Sequence, residues 1–315
     1  MTAVVLGGSG FLGSHLCDAL LARGQDVIAV DDLSTGRLQN IDHLKSNKSF
    51  KFVQADISLE LPDLGTPELI LNFASPASPP AYLSMPIHTL RTGSLGTMHA
   101  LELASKTNAR FVMASTSEIY GDPLEHPQTE SYWGNVNPIG VRSCYDEAKR
   151  FSEALTFAHQ RERGTNTGIV RIFNTYGPRL DPTDGRVVSN FIMAAINDLP
   201  LNIYGDGSQT RSLCYVSDLV DGILRMADSK INGPVNLGNP NEMTVLQLAQ
   251  RIIDITDSKS EINFQSALSD DPQQRNPDIA LAKAELNWFP TTQLDAGLQS
   301  TINWMANMEK KNDKW

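Results

Sequence analysis

Cysteine is scarce in this chain: three residues in 315, Cys17, Cys144 and Cys214, scattered and odd in number. That excludes a complete disulfide framework and any cysteine-rich zinc site. The six histidines show no metal-ligand spacing, so no metal is expected. Cys144 stands beside a tyrosine but reads as small packing filler rather than a reactive thiol. No apolar run is long enough to span a bilayer, and a strand-like run begins by residue 3, which leaves no room for a targeting segment. A cytoplasmic location is the expectation. Basic residues are outnumbered, 26 Lys and Arg against 36 Asp and Glu, for a net charge of −10. An acidic surface argues against nucleic acid or an anionic membrane as the main partner. Internal repeats and low-complexity tracts are also missing.

What is present is ordinary for a globular protein: 41% hydrophobic and 20% charged residues. At 34.5 kDa the chain can bury a large core and form two intimately joined domains. Short β-branched runs alternate with helical periodicity in the first half. They predict strands over residues 3–6, 26–30, 50–53, 68–73, 110–114 and 167–172, and helices over 11–22, 88–106 and 145–163. This order implies an α/β fold, a Rossmann-type doubly wound parallel sheet with helices on both faces. A strand at 234–237 returns the chain to the sheet after a turn-rich excursion, where a smaller substrate-binding lobe should sit. Helices are expected over 245–255 and 294–308. The implied boundaries are a dinucleotide-binding domain over 1–174, rejoined by 214–240, and a lobe from 175–213 and 241–315.

Glycines fall at positions 7, 10 and 13 of Gly7-Gly8-Ser9-Gly10-Phe11-Leu12-Gly13, directly between the first strand and the first helix. That chemistry provides a tight turn, close backbone approach to a pyrophosphate, and a helix N-terminus facing the phosphates. The Gly-x-x-Gly-x-x-Gly spacing favours the short-chain dehydrogenase/reductase form of the motif. Asp31-Asp32 closes the second strand, where a carboxylate holds the adenosine ribose and repels the 2′-phosphate of NADP, so NAD is the expected cofactor. Asp56, before Ile57, reads as an adenine-amino contact or as a helix cap. Ala74-Ser75, ending the fourth strand, should lie beside the cofactor.

Tyr145 and Lys149 stand one helical turn apart. Free tyrosine titrates near ~10, and a lysine at i+4 can lower that by placing positive charge on the same helix face. The fifth strand runs into Ser115-Thr116-Ser117-Glu118, at the sheet edge that faces the cofactor cleft. A hydroxyl there can share the proton that Tyr145 removes, and Glu118 adds a second ionisable group. The turn-rich excursion supplies Arg179, Arg186 and Arg211, and the C-terminal part of the chain adds Arg275. For Arg179 a solvated surface role is an equal reading, whereas Arg211 and Arg275 read as anion contacts.

Taken together, these strings resemble an extended short-chain dehydrogenase/reductase acting on nucleotide sugars and, more narrowly, the UDP-glucuronic acid decarboxylases. The resemblance covers almost the whole chain. It rests on residues 73–80, 115–118, 121–128, 132–140, 171–179, 184–191 and 207–211, and on Asp270-Asp271-Pro272. Related 4,6-dehydratases carry Asp-Glu where this chain has Ser117-Glu118, and 4-epimerases lack an acid there.

The resemblance implies decarboxylation of UDP-glucuronate to UDP-xylose through a 4-keto intermediate. The alternatives are a 4-epimerase, a decarboxylase releasing the UDP-4-ketopentose, or, remotely, a non-catalytic NAD sensor. It implies catalytic roles for Tyr145, Lys149, Thr116, Ser117, Glu118 and Arg275. The cofactor set would be Gly7, Gly10, Phe11, Leu12 and Gly13, then Asp31, Asp32, Ser34, Thr35 and Gly36. Asp56, Ile57, Ala74, Ser75, Thr92, Thr175 and Arg186 would complete it, with Tyr145 and Lys149. Substrate contacts would come from Pro79, Arg91, Glu118, Asn174, Arg186 and Val188, and from Asn190, Tyr204, Gln209, Arg211 and Arg275. A homodimer through the helices at 88–106 and 145–163 is implied as well. Departures from the family pattern include Asp32 for Asn, Gly93 for Asn, Ala148 for Gly, and Val141 ahead of Arg142; Gly93 leaves one local hydrogen bond in question.

Overall fold

The computed structural model describes residues 1–266 and 274–312, with side chains through residue 308. Asp270-Asp271-Pro272 lies outside the described residues. The central sheet is built from β1 (Thr2–Leu6), β2 (Asp26–Asp31), β3 (Phe50–Gln54), β4 (Leu69–Asn72), β5 (Arg110–Thr116) and β6 (Thr167–Ile172). Short strands β7 (Thr175–Tyr176), β8 (Leu201–Tyr204), β9 (Thr210–Ser212) and β10 (Cys214–Tyr215) precede β11 (Val235–Leu237), which joins that sheet. The seven strands run parallel in the order β11-β6-β5-β4-β1-β2-β3. Strand order reverses at β1, and a ligand crevice forms outside the carboxyl ends of strands at such a switch point.

The apolar runs are continuous because both faces of the sheet are buried. Ala3 and Val5 of β1 point into one cluster with Leu16, Leu20, Leu219 and Ile223. Val4 and Leu6 point into the other, with Ala100, Leu101, Phe111 and Ile169. The first cluster is covered by α1 (Phe11–Ala22) and later by α7 (Val216–Asp228). On the opposite face, α2 (Pro79–Ser84) and α3 (Pro86–Arg91) lead to α4 (Thr97–Thr107), which packs beside α5 (Ser143–Arg163).

The helix expected over 88–106 is present but not regular throughout. A wider π-type turn at Thr92–Gly96 separates α3 from α4. A Cβ at Gly93 would lie 2.7 Å from the Ala148 Cβ, and one at Gly96 would meet Ile57 at 2.7 Å. Gly93 and Ala148 therefore compensate one another: the missing side chain on one helix admits the methyl on the other. The Gly93 carbonyl accepts from Ser152 Oγ at 2.6 Å, a further tie between the two helices.

A third cluster of apolar side chains lies away from the two sheet faces. There α6 (Val187–Ile196), α8 (Val245–Thr256) and α10 (Leu294–Asn312) enclose Phe191, Ile192, Leu201, Leu248, Ile252 and Leu298. Strands β12 (Glu242–Thr244) and β13 (Ile262–Gln265) pair with β9 and β8. A short α9 (Ala280–Leu286) packs against α7 and β11. No helix among the described residues is long and apolar enough to cross a membrane.

Candidate active site

A cleft of about 920 Å³ opens at the carboxyl ends of the central strands, against α6 and β8. Its floor is the turn between β1 and α1. Gly7 has φ +79°, and a Cβ there would lie 2.8 Å from the backbone of Phe73 and Ala74. A Cβ at Gly13 would lie 2.0 Å from the Gly7 carbonyl oxygen. The cradle thus exists only because both side chains are missing. Gly10 caps α1 without a side-chain bond, so the first N–H groups of the helix remain available to an anion. Gly7, Gly10, Phe11, Leu12, Gly13, Ser34, Thr35 and Gly36 all line this end of the cleft. This donor set and cradle fit a dinucleotide.

Asp31 lies behind that wall. It is buried, and its two carboxylate oxygens accept from the Ser9 and Leu33 backbone N–H groups at 3.0 and 2.9 Å. Burial pushes its pKa up against those hydrogen bonds. It braces the glycine turn, and its remaining lone pairs are what it can offer a ribose. Asp32 and Asp56 meet His88 of α3, at 3.0 and 3.9 Å respectively, a grouping that their sequence spacing does not reveal. Asp56 also accepts from the Ser58 N–H at 2.8 Å, but it closes a turn over residues 57–59 rather than capping a helix.

Several expected site residues stand outside the cleft wall. Ile57 is core, and Thr92 is buried in the π-type turn. Ala74 contributes backbone packing behind Gly7, whereas its neighbour Ser75 does line the cleft. Arg91 is exposed on α3 and is not among the residues that line the cleft.

The strand β5 delivers Thr116 to the cleft, the short helical turn after it delivers Ser117 and Glu118, and α5 delivers Tyr145 and Lys149. Both α5 side chains are buried. The i+4 spacing predicts that Lys149 lowers the Tyr145 pKa, but the protein's own groups do the reverse. Burial raises the phenol to about 12, against a hydrogen bond from Thr116. Lys149 donates to the Ala114 carbonyl at 3.0 Å, with its ammonium 5.8 Å from the Tyr145 ring centre. Burial lowers its own pKa to about 8.

Glu118 is gripped by two guanidinium groups. Arg142 Nη2 donates to one carboxylate oxygen at 2.6 Å, and Arg275 Nη1 donates to the other. Burial would raise the Glu118 pKa, but the charges of Arg275 and Arg142 outweigh it and bring the value down to about 2. The carboxylate is therefore an ionised clamp in the protein alone, not a group poised to hold a proton.

The remaining expected contacts converge on the same cleft. Pro79, Asn174, Thr175, Val188, Tyr204 and Gln209 line the cleft, as do Arg179, Arg186, Arg211 and Asn190. Several are held locally: Arg186 donates to the Ala77 carbonyl at 3.1 Å, Asn190 to that of Gly185 at 3.0 Å, and Gln209 to that of Tyr204 at 2.7 Å. With Arg275, the four arginines singled out in the sequence thus reach one cavity.

Two residues escape sequence reasoning. Arg142 lies one turn ahead of Tyr145, a spacing that could have flagged it. Tyr82, on α2, stacks on the Tyr145 ring at 5.1 Å, and its buried hydroxyl has no hydrogen-bond partner among the described residues. No local pattern marks it.

A glycine cradle at parallel strand ends, with Tyr145, Lys149 and Thr116 beside it, defines an NAD-dependent enzyme of the short-chain dehydrogenase/reductase type. The chain belongs to the NAD dependent epimerase/dehydratase family, whose model matches residues 3–238. It is 49% identical to UDP-glucuronic acid decarboxylase 1 of Arabidopsis thaliana over 99% of this chain and 71% of that protein. Against UDP-glucuronic acid decarboxylase 1 of Danio rerio it is 47% identical, over 96% of this chain and 72% of that one. Among solved structures, UDP-glucuronic acid 4-epimerase from Bacillus cereus, in complex with UDP-glucuronic acid and NAD, superposes with a TM-score of 0.88. That match is at 26% identity and covers 98% of this chain and 100% of the other.

Proposed function

We propose that this protein decarboxylates UDP-glucuronate to UDP-xylose through a UDP-4-keto intermediate, returning NAD to its starting state in each cycle. The observation that carries this reading is Glu118 held between Arg275 and Arg142 at the end of β5, in the cleft that also holds Tyr145. Relatives near half identity over nearly the whole chain bear the decarboxylase name.

Tyr145 takes the C4 hydroxyl proton as hydride leaves C4, and Thr116 shares the phenol's hydrogen bond. NAD, when bound, would supply the hydride acceptor and a positive charge that would favour the phenolate. The C4 ketone is β to the C6 carboxylate, so the C5–C6 bond breaks and its electron pair is delocalised onto the ketone oxygen as CO2 leaves. Arg275 is the group we assign to the substrate carboxylate, with Glu118 orienting it and positioning a proton donor for C5. Ser117 assists at C4. Tyr145 then returns its proton to the C4 oxygen as hydride comes back. The glycine turn, Asp31, Ser34, Thr35 and Gly36 hold the cofactor. Arg186, Arg211, Asn174, Asn190, Val188, Tyr204 and Gln209 hold the nucleotide sugar.

Residues 1–174 and 214–240 serve as the dinucleotide-binding domain in this reading, and 175–213 with 241–315 as the substrate lobe. A homodimer is part of it: Ile87, Leu90, Leu95 and Phe151 are large apolar side chains exposed on or beside α3 and α5, suited to a second copy. The three free, buried thiols suit a reducing compartment, and we place the protein in the cytoplasm.

The 4-epimerase alternative rests on the likeness to the Bacillus cereus structure. Incubation with UDP-glucuronate and catalytic NAD, followed by product chromatography, separates the readings. UDP-xylose is expected. UDP-galacturonate would assign the epimerase, accumulated UDP-4-ketopentose the early-releasing decarboxylase, and no turnover would refute all three.

A further inference from the structure

Arg275 reaches the cleft from a stretch with no regular structure, yet it must meet Glu118 accurately. What holds it is a buried polar chain outside the cleft. Gln128 is fully buried and grips the segment just past Arg275. Its backbone N–H donates to the Asn276 carbonyl, its Oε1 accepts from the Asn276 N–H, and its carbonyl accepts from the Asp278 N–H, each at 2.9 Å. Asn236, on the edge strand β11 and also fully buried, donates through Nδ2 to the carbonyls of Gln128 at 3.0 Å and Asp278 at 3.2 Å.

The other end of the Asn236 amide faces Glu118's own turn. Its Oδ1 accepts from the Tyr120 hydroxyl at 2.8 Å, and Tyr120 closes the short helical turn Ser117–Tyr120. That hydroxyl in turn accepts from Arg171 Nη1 at 2.9 Å, and Arg171 is paired with Glu153 of α5 through bonds of 3.0 and 2.9 Å. One amide side chain therefore ties the turn that carries Glu118 to the segment that carries Arg275.

We propose that Asn236 is a positioning residue for the decarboxylation step: it sets Arg275 against Glu118, and Tyr120 and Gln128 are the two arms through which it does so. This rests on the decarboxylase reading above. An amide is the side chain suited to the place, because it offers an acceptor on one side and two donors on the other. A carboxylate would keep the Tyr120 bond and turn both donor contacts into repulsion between oxygens. Because C4 oxidation does not need the substrate carboxylate to be aligned, a displaced Arg275 should affect CO2 loss selectively.

Asn236→Asp tests this with UDP-glucuronate labelled at C6, following reduction of bound NAD and release of labelled CO2 in one turnover. Reduction should stay within about 3-fold of wild type, while CO2 release falls about 10-fold or more, the scale of small misplacements. In an Arg275→Ala background, Asn236→Asp should slow CO2 release no further, since it acts through Arg275. The proposal is overturned if both steps fall together, if CO2 release is unchanged, or if the two substitutions add. Should circular dichroism show that Asn236→Asp does not fold, Tyr120→Phe, which removes only the hydroxyl gripping Asn236, is read by the same criteria. A wild-type protein that releases no CO2 from UDP-glucuronate would instead defeat the decarboxylase reading itself.

Discussion

Tyr82 and Tyr145 stack with ring centres 5.1 Å apart and planes 11° apart, so one buried phenol covers a face of the other. The stack keeps water from that face of the proposed acid–base group and contributes to the burial that raises its pKa to about 12. A phenol held that high keeps its proton in the protein alone, and it depends on nearby positive charge to give that proton up and act as a base.

Tyr145→Phe keeps the ring and the stack and removes the proton carrier. Turnover should fall at least ~10²-fold, with NAD binding retained. Steady-state rates together with NAD titration check this; near-normal turnover would remove Tyr145 from the chemistry.

Asp31 sits behind the glycine turn with both oxygens engaged by backbone N–H groups. Its charge should make NADP bind at least ~10-fold more weakly than NAD. Asp31→Ala should narrow that ratio and also weaken NAD, because the brace on Ser9 and Leu33 is lost. Calorimetric titration of both cofactors measures each effect, and equal wild-type affinities would contradict the role.

Asp146 sits next to Tyr145 and is likewise buried, and its Oδ1 has no hydrogen-bond partner among the described residues. Burial first, then the charge of Glu118, push its pKa up to about 7 against Arg142 and Arg275. The folded state thus holds a proton that the unfolded chain releases near ~3.9, so stability falls as pH rises between those values. Asp146→Asn should therefore raise the melting temperature above pH 7. The gain should shrink as pH drops and vanish near pH ~4. Melting curves across that range decide it; a pH-independent difference would count against a buried, titrating Asp146.

Association through α3 and α5 should give a dimer mass by light scattering. Phe151→Glu and Ile87→Glu place charges on two exposed apolar positions and should shift it toward monomer. A wild-type monomer at working concentration would reject the interface.

Much of this is legible in the sequence because it is periodic or local. The central strands announce themselves as apolar runs, and the glycine turn and Tyr145–Lys149 pair as short spacings. Less legible is α6, whose sequence VVSNFIMAAI is apolar nearly all round and lies among turn residues. The π-type turn is hidden because glycine spacing alone does not say that Ala148 will fill the gap. Nor can sequence show the direction of the Tyr145 pKa, since Lys149 at i+4 spends its hydrogen bond on Ala114. The Asp32–His88–Asp56 grouping and the Tyr82 stack join residues distant in sequence, so only the folded chain reveals them.

The most direct test of the central claim, that the Glu118–Arg275 pair turns a C4 oxidation into a decarboxylation, is a single turnover of Arg275→Ala and Glu118→Gln with C6-labelled UDP-glucuronate. Both variants should still reduce bound NAD, release labelled CO2 slowly and accumulate the reduced cofactor. Wild-type CO2 release in both variants would contradict the claim and leave the pair as an ordinary buried salt bridge.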